Sequence, residues 1–191
     1  MSALPFSELA ARIRARFPAV AERMSENRQP WLLVPAADLL AVCQLCRDDP
    51  ELDFASLCDL TGWDLLRYPA QPPSDAIVVA YYLHSLRHRH HLTLKALAPR
   101  ACCTLPSVSA IWPAAIAFER EVYDLLGVQF SGHPRLTRIL LPEDWEGHPL
   151  RKDYAYPAAY HGVPHARAGQ WFEDGPARAP AGAAPPAGGA A

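Results

Sequence analysis

The sequence predicts an α+β fold, a small mixed or antiparallel sheet packed with helices and followed by an extended charged C-terminal arm. Three observations point there. Segments with helical spacing and segments with strand spacing follow one another irregularly, without the repeating βα units of a parallel sheet. One pair of alternating runs, 76–84 and 90–97, reads as an antiparallel hairpin. Beyond Gly127 periodicity is lost, and four prolines and three glycines punctuate the chain from Gly127 to Pro157. The organisation expected is one domain over 1–157, with the charged arm at 111–157, and an Ala/Pro/Gly tail over 158–191. That tail has little to bury and is expected to be disordered.

The elements follow from spacing. Residues 6–17 are predicted helical, with Ser7 as cap and Leu9, Ile13 and Phe17 four apart. Residues 19–23 and 31–34 read as short extended segments around the polar turn SENRQP. Residues 36–46 read as a helix burying Leu39, Leu40, Cys43, Leu45 and Cys46. A strand is expected within 54–65, interrupted near Gly62. A loop at Gln71–Ser74 then leads into the hairpin, whose link SLRHRH is expected to be polar and exposed. In its second strand Leu92, Leu94 and Ala96 share one face and His91, Thr93 and Lys95 the other. Residues 107–126 are predicted helical, with Pro113 in the first turn and Gly127 as the left-handed residue that ends the helix. A short strand is expected at 136–141.

Composition excludes several classes. The chain of 191 residues is half apolar, with a formal net charge of −2 and a pI near 6.4. A nucleic-acid partner wants a net basic footprint. The opening MSALPFSELAARIRARFP has no uninterrupted apolar core or small-residue cleavage site, so cytoplasmic residence is expected. Five cysteines, an odd number, argue against a disulfide framework. Cys43 and Cys46 form a single CxxC without the second pair a zinc site needs, and read as core residues. Motifs for nucleotide, flavin or nucleophilic-serine chemistry are missing from the sequence.

The chemistry-bearing residues cluster late. On a helical wheel Ile111, Ala115, Phe118, Val122, Leu125 and Leu126 form a core stripe. Glu119 and Glu121 flank it, while Arg120 and Asp124 stand on the far face, four apart, where they could pair. Two readings stand: a solvated amphipathic helix, or one whose flanking glutamates bind the arm's cations Arg135, Arg138, Arg151 and Lys152. The arm contains Gly-His-Pro twice, at 132–134 and 147–149. His133 and His148 with Glu143, Asp144 or Asp153 could build a two-histidine, one-carboxylate metal site or an acid–base pair. Equally, residues before proline are held extended and glycine permits tight turns, so Gly-His-Pro can route an irregular chain with imidazole as a strut. His84, His88, His90 and His91 are expected in a solvated loop.

The run IWPAAIAFEREVYDLLGVQFSGHPRLTRILLPEDWEGHPLRKDY, residues 111–154, closely resembles the signature of the 30-kilodalton subunit family of the proton-pumping NADH:quinone oxidoreductase, respiratory complex I. The ERE, the YD, the first GHP, RILLPEDW and GHPLRKDY carry the likeness, which extends in outline over 31–156. Leu126, Ala117 and the Ala155-Tyr156-Pro157 ending depart from the family pattern. The resemblance implies a structural subunit of the peripheral arm, with no catalytic, metal or cofactor-binding residue of its own. FMN and iron–sulfur clusters are then held by partner subunits. The partners it implies are the large quinone-site subunit and those carrying the terminal clusters, with quinone met only indirectly and no nucleic acid bound. It implies peripheral attachment to the cytoplasmic side of the cell membrane. Glu119, Arg120, Glu121, Asp124, Gly127, Gly132, His133, Pro134, Arg138, Gly147, His148, Pro149, Arg151, Lys152 and Asp153 then hold the arm and its partner together. Alternatives are the equivalent subunit of an energy-converting hydrogenase or other-donor quinone reductase, a metal-dependent enzyme using His133 and His148, and a binding module unrelated to redox.

Overall fold

A computed structural model describes residues 3–66, 75–157 and 159–164. The chain divides into two units, Met1–Asp153 and Tyr154–Ala191. In the first, helix α1 (Phe6–Arg16) leads to strands β1 (Ala21–Met24) and β2 (Pro30–Leu33), helix α2 (Leu39–Asp48), and strands β3 (Ser56–Asp64), β4 (Ala76–Ser85) and β5 (His90–Pro99). Strand β6 (Thr104–Pro106), helix α3 (Ala115–Leu126) and strand β7 (Gln129–Ser131) follow. The second unit contains the two-residue strands β8 (Ala159–Tyr160) and β9 (Val163–Pro164), joined through His161 and Gly162, both at positive φ. Residues 159–164 are thus a small hairpin within the segment expected to be disordered. The rest of the predicted tail lies outside the described residues, as does the loop expected at Gln71–Ser74.

Five strands form one sheet in the order β1-β2-β5-β4-β3. All neighbours are antiparallel except β2 and β5, which run parallel. Strand alternation gives the sheet two unlike faces. One carries Leu32, Leu60, Ile77, Val79, Tyr81, Leu83, Leu92, Leu94, Ala96 and Ala98, all buried. Against it pack Leu9 and Ile13 of α1, Val42, Cys43 and Cys46 of α2, and Ala115, Val122 and Leu126 of α3. The cysteines of the CxxC are therefore free core thiols. Burial and its neighbours raise the Cys43 thiol well above its ordinary range, so it behaves as an apolar group.

Several sequence expectations are corrected. Helix α1 starts at Phe6 with Pro5 before it, and Ser7 does not cap it; the Glu8 and Leu9 N–H groups donate to the Pro5 carbonyl. Helix α2 starts at Leu39, because Pro35–Asp38 forms a turn, and Leu40 is exposed. Strand β3 runs through Gly62 unbroken, and its irregularity lies at Leu57/Asp59. Gly62 matters for a different reason. A Cβ there would lie 2.8 Å from Leu126 Cδ1, 3.2 Å from Val122 Cγ1 and 3.1 Å from the Val78 carbonyl oxygen. The glycine lets α3 lie directly on the sheet.

The hairpin link is not simply solvated. His88 and His90 are buried, their Nε2 atoms 2.9 Å and 2.7 Å from the Pro50 and Leu52 carbonyls. The Leu4 N–H faces His90 Nδ1 at 3.4 Å, which makes Nε2 the donor of a neutral ring. Burial lowers the His90 pKa in keeping with that. Helix α3 starts at Ala115 and not Ser107; residues 107–114 form turns in which Val108 O accepts from Ile111 and Trp112. Pro113 precedes the helix. The strand expected at 136–141 is absent, since the N–H groups of Ile139, Leu140 and Leu141 turn toward the Asp124 side chain of α3 and that of Thr137 toward the Arg135 carbonyl.

Filling the Gly62 notch tests this packing. Gly62→Val is expected to destabilise the fold by about 1–3 kcal/mol through overpacking. Thermal unfolding would read this as a Tm lowered by several degrees, and an unchanged Tm would mean α3 is not seated on β3.

Candidate functional site: a clamp around the charged helix

Asp124 organises the arm. Its carboxylate is fully buried. Oδ2 accepts the N–H groups of Ile139, Leu140 and Leu141 at 3.0, 2.8 and 2.9 Å. Oδ1 accepts Arg138 Nη1 at 2.7 Å. Three successive amides on one oxygen make a small anion nest out of aperiodic backbone. The Arg138 fork continues to the Trp145 and Gly147 carbonyls at 2.8 and 3.0 Å. Arg120 holds the other side of the same bend, donating to the Thr137 and Arg138 carbonyls.

The second GHP closes the helix end. An α-helix leaves its last four carbonyls without intrahelical partners. Here Tyr123 O accepts from Gly127 N–H at 2.8 Å and Leu125 O from Leu150 N–H at 3.0 Å. Asp124 O lies 2.9 Å from His148 Nδ1, and Leu126 O accepts Arg151 Nε at 2.7 Å. The cations Arg138 and Arg151 sit where the helix dipole is negative. Gly127 has φ +74°, and a Cβ on it would meet His148 and Arg151 at 2.5 and 2.7 Å. The sequence signal for a left-handed stop is therefore right, and the site demands glycine for space as well. Pro149 follows His148 where the chain turns back to reach Leu125.

The first GHP serves the other end of the helix. His133 Nδ1 accepts the Arg135 N–H at 3.0 Å, so Nε2 is the donor to Ile116 O at 3.1 Å. Gly132, at φ +83°, and Pro134 bracket this turn. The two histidines contact carbonyls of Ile116 and Asp124, eight residues or about 12 Å apart on the helix. They do not converge on a common ligand. Among the described residues no group of three metal-ligating side chains comes together.

Glu119 is as buried as Asp124 and behaves oppositely. It accepts Ser107 Oγ–H at 2.6 Å and Val108 N–H at 2.7 Å, and His133 Nε2 lies 4.0 Å away. Burial pushes its pKa up to about 7, against the pull of those two bonds. Burial also opposes the Asp124 charge, but the Leu141, Arg138, Leu140 and Ile139 donors outweigh it and hold that carboxyl below its usual value. Both readings of the helix are thus corrected, the solvated one by the burial of Glu119 and Asp124 and the pairing of flanking glutamates with arm arginines by the partners found. Glu119 takes a hydroxyl and an amide, Glu121 is exposed, and Asp124 pairs with Arg138 and not with Arg120.

One hub is invisible in the sequence. Arg100, at the end of β5, forms ion pairs with buried Asp64, with Asp75 at 2.5 Å and with Asp153 at 3.0 Å. Asp64 also accepts the Lys152 N–H at 2.8 Å. This ties the RKD of the arm to both ends of the β3–β4 connection. The partners lie 36, 25 and 53 residues from Arg100, beyond any local pattern. Lys152 contributes through its backbone, contrary to the role expected of its charge.

The family model described as the respiratory-chain NADH dehydrogenase 30 Kd subunit matches residues 32–160. A protein of Roseiflexus castenholzii, described as a subunit of NADH-quinone oxidoreductase, is 41% identical over 144 residues, covering 75% of this chain and 80% of that protein. Proteins described in the same words from Salinispora tropica and Mycolicibacterium smegmatis are 38% and 42% identical, covering 83% and 78% of this chain. The chain spans 66% and 62% of their lengths, just under two thirds. Among solved structures, a trypsin-resistant fragment (1–134) of Nqo5 superposes with TM-score 0.59 at 27% identity, covering 68% of this chain and 98% of the fragment. A protein chain of an archaeal membrane-bound sulfane sulfur reductase superposes with TM-score 0.62 at 24% identity, covering 78% and 85%, a likeness of fold.

The two buried acids predict opposite pH behaviour. For Asp124 the folded pKa is depressed, so its stabilisation is present above the ordinary carboxylate range and lost as pH falls through the folded value. Asp124→Ala, which strands Arg138 and three amides, is expected to destabilise by about 3–5 kcal/mol. Asp124→Asn should flatten the acid limb of the stability curve. For Glu119 the folded pKa is raised, so stability is greatest below about 4.5 and declines as pH rises to about 7. Glu119→Gln is therefore expected to gain stability relative to the native protein across that interval. Chemical denaturation at a series of pH values reads both effects, and parallel curves for Glu119→Gln and the native protein would refute the second.

Proposed function

The chain belongs to the respiratory-chain NADH dehydrogenase 30 Kd subunit family, and from that premise we propose that it is a non-catalytic structural subunit of the peripheral arm of a proton-translocating NADH:quinone oxidoreductase. In this reading it supports the large quinone-site subunit and the subunits bearing the terminal iron–sulfur clusters while electrons pass from NADH to quinone. Those partners hold the FMN and the clusters, and through them the chain is attached to the cytoplasmic side of the membrane. Among the described residues no helix is long and apolar enough to cross a bilayer.

The observation that carries this reading is how the signature run is used. Its ionisable residues bind the chain's own backbone: Arg138 and Asp124 shape 138–147, and His148 and Arg151 close α3. Such a network fixes the shape of an aperiodic surface, as an assembly element requires. The clamp turns Leu140 and Leu150 outward, 60% and 54% exposed. Apolar side chains on a polar-backed arm fit a buried contact with another subunit.

The test is affinity recovery of the tagged full chain from gently solubilised membranes of its native host. Flavin and iron–sulfur subunits are expected to co-purify with NADH-driven quinone reduction. Recovery of the chain alone would overturn the reading, and recovery with hydrogenase subunits and no flavin subunit would replace the electron donor. Arg138→Ala is expected to lower recovery several-fold while the sheet amides keep their exchange protection. Unchanged recovery would remove the arm from the interface.

A further inference from the structure

All three helices contribute to the core on one face of the five-stranded sheet. The other face carries Trp31 and Leu33 of β2, Thr93, Lys95 and Leu97 of β5, Tyr82 of β4, and Thr61 and Trp63 of β3, all partly accessible. The register places Lys95 opposite Ala80 and Leu97 opposite Val78, with Trp63 opposite Val78 on the other side. The small Ala80 lets the lysine reach across β4. Its Nζ stands 4.2 Å from the centre of the Trp31 ring and 4.9 Å from that of Trp63. A Trp–Lys–Trp bridge thus spans four strands, about 14 Å of sheet.

The bridge leaves a chemical demand unmet. Indole faces attract an ammonium but do not accept its three N–H bonds in the way an oxygen does. Among the described residues Lys95 has no carboxylate partner. Burial lowers its pKa with nothing offsetting the shift. Among the described strand residues the acid on this face is Asp59, opposite Tyr82, one row along and two strands away. Arg23, opposite Trp31, adds a second cation at the β1 edge. The face is aromatic and cationic, so its complement is apolar and acidic.

We propose that this open face docks a protein partner of the same assembly, through an apolar segment that carries a carboxylate, seated on Trp31 and Trp63 with its acid on Lys95. The inference rests on the assembly reading above and adds a second contact surface, on the side of the sheet away from the clamp helix. A carboxylate delivered between two indoles meets a cation that is already partly desolvated, so less hydration is lost on docking.

The experiment treats the intact assembly from native membranes with a carbodiimide, which joins an amine directly to a carboxylate, and maps the links by mass spectrometry. Oxidative labelling of Trp31 and Trp63 is compared between the isolated full chain and the assembly. Expected are a link from Lys95 to an Asp or Glu of another subunit and several-fold protection of both indoles. Lys95→Met, which keeps the apolar stem, should lower recovery with the assembly several-fold, and Lys95→Arg should retain it. If the chain assembles but Lys95 and both indoles stay as reactive as in isolation, this inference fails and the functional reading stands. A Lys95 link within this chain or to a second copy, or indole protection without any link from Lys95, overturns the acid-bearing partner. Absence of the chain from any assembly overturns both.

Discussion

The carboxylate of Asp124 is the constraint on which the described arm depends. From 127 to 153 the chain has little regular structure beyond the three residues of β7, and so few ladder bonds to hold it. One buried anion replaces a ladder. It gathers three consecutive amides and fixes Arg138, and Arg138 then fixes the carbonyls of residues 145 and 147. That places His148, Leu150 and Arg151 over the end of α3. The order of dependence runs from one side chain outward. Neutralising that carboxylate therefore acts on the whole arm.

Glu119 and Asp124 lie on one helix, five residues apart, both without solvent exposure. Their ionisation differs because burial is only one influence. Desolvation disfavours either charge by several kcal/mol, and the donors decide the sign. Four donors including a guanidinium hold Asp124 charged, whereas a hydroxyl and an amide do not suffice for Glu119. A proton on Glu119 is compatible with its neighbours, since Ser107 Oγ can accept as well as donate. The end of the helix that binds the arm is thus built around fixed charge, while the end near β6 packs like a polar core.

Much of the fold is legible in the sequence because its causes are local. The hairpin, the buried Leu92-Leu94-Ala96 face and the Gly127 stop each follow from a period or a steric rule within a few residues. The same alternation places His90 inside, two residues before Leu92, although so dense a group of histidines reads as a solvated link. The wheel fails more instructively. It treats the side opposite the apolar stripe as water, yet here the arm wraps that side, so Asp124 is enclosed by chain 14 to 17 residues further on. Glu119 escapes the wheel for a different reason, its partners being Ser107 and Val108 in a turn upstream of the helix that has helical spacing. Arg100 leaves no local trace. Its meaning depends on bringing β3, β5 and the arm together, which only the folded chain does.

The two faces of the sheet divide the work by side-chain size. On the helical side Gly62 has nothing to offer, and α3 is drawn down until Leu126 and Val122 fill its place. That approach sets how closely the last turn of α3 lies on the sheet, beside which Asp124 and the arm are built. On the opposite side the small residue is Ala80, itself buried but outside the helical core. Lys95 crosses it to reach Trp63, leaving an ammonium between aromatic rings. Among the described residues the same central strands thus meet helices on one face and hold a lysine between two indoles on the other. The asymmetry begins with two small residues of the sheet, Gly62 facing α3 and Ala80 facing Lys95.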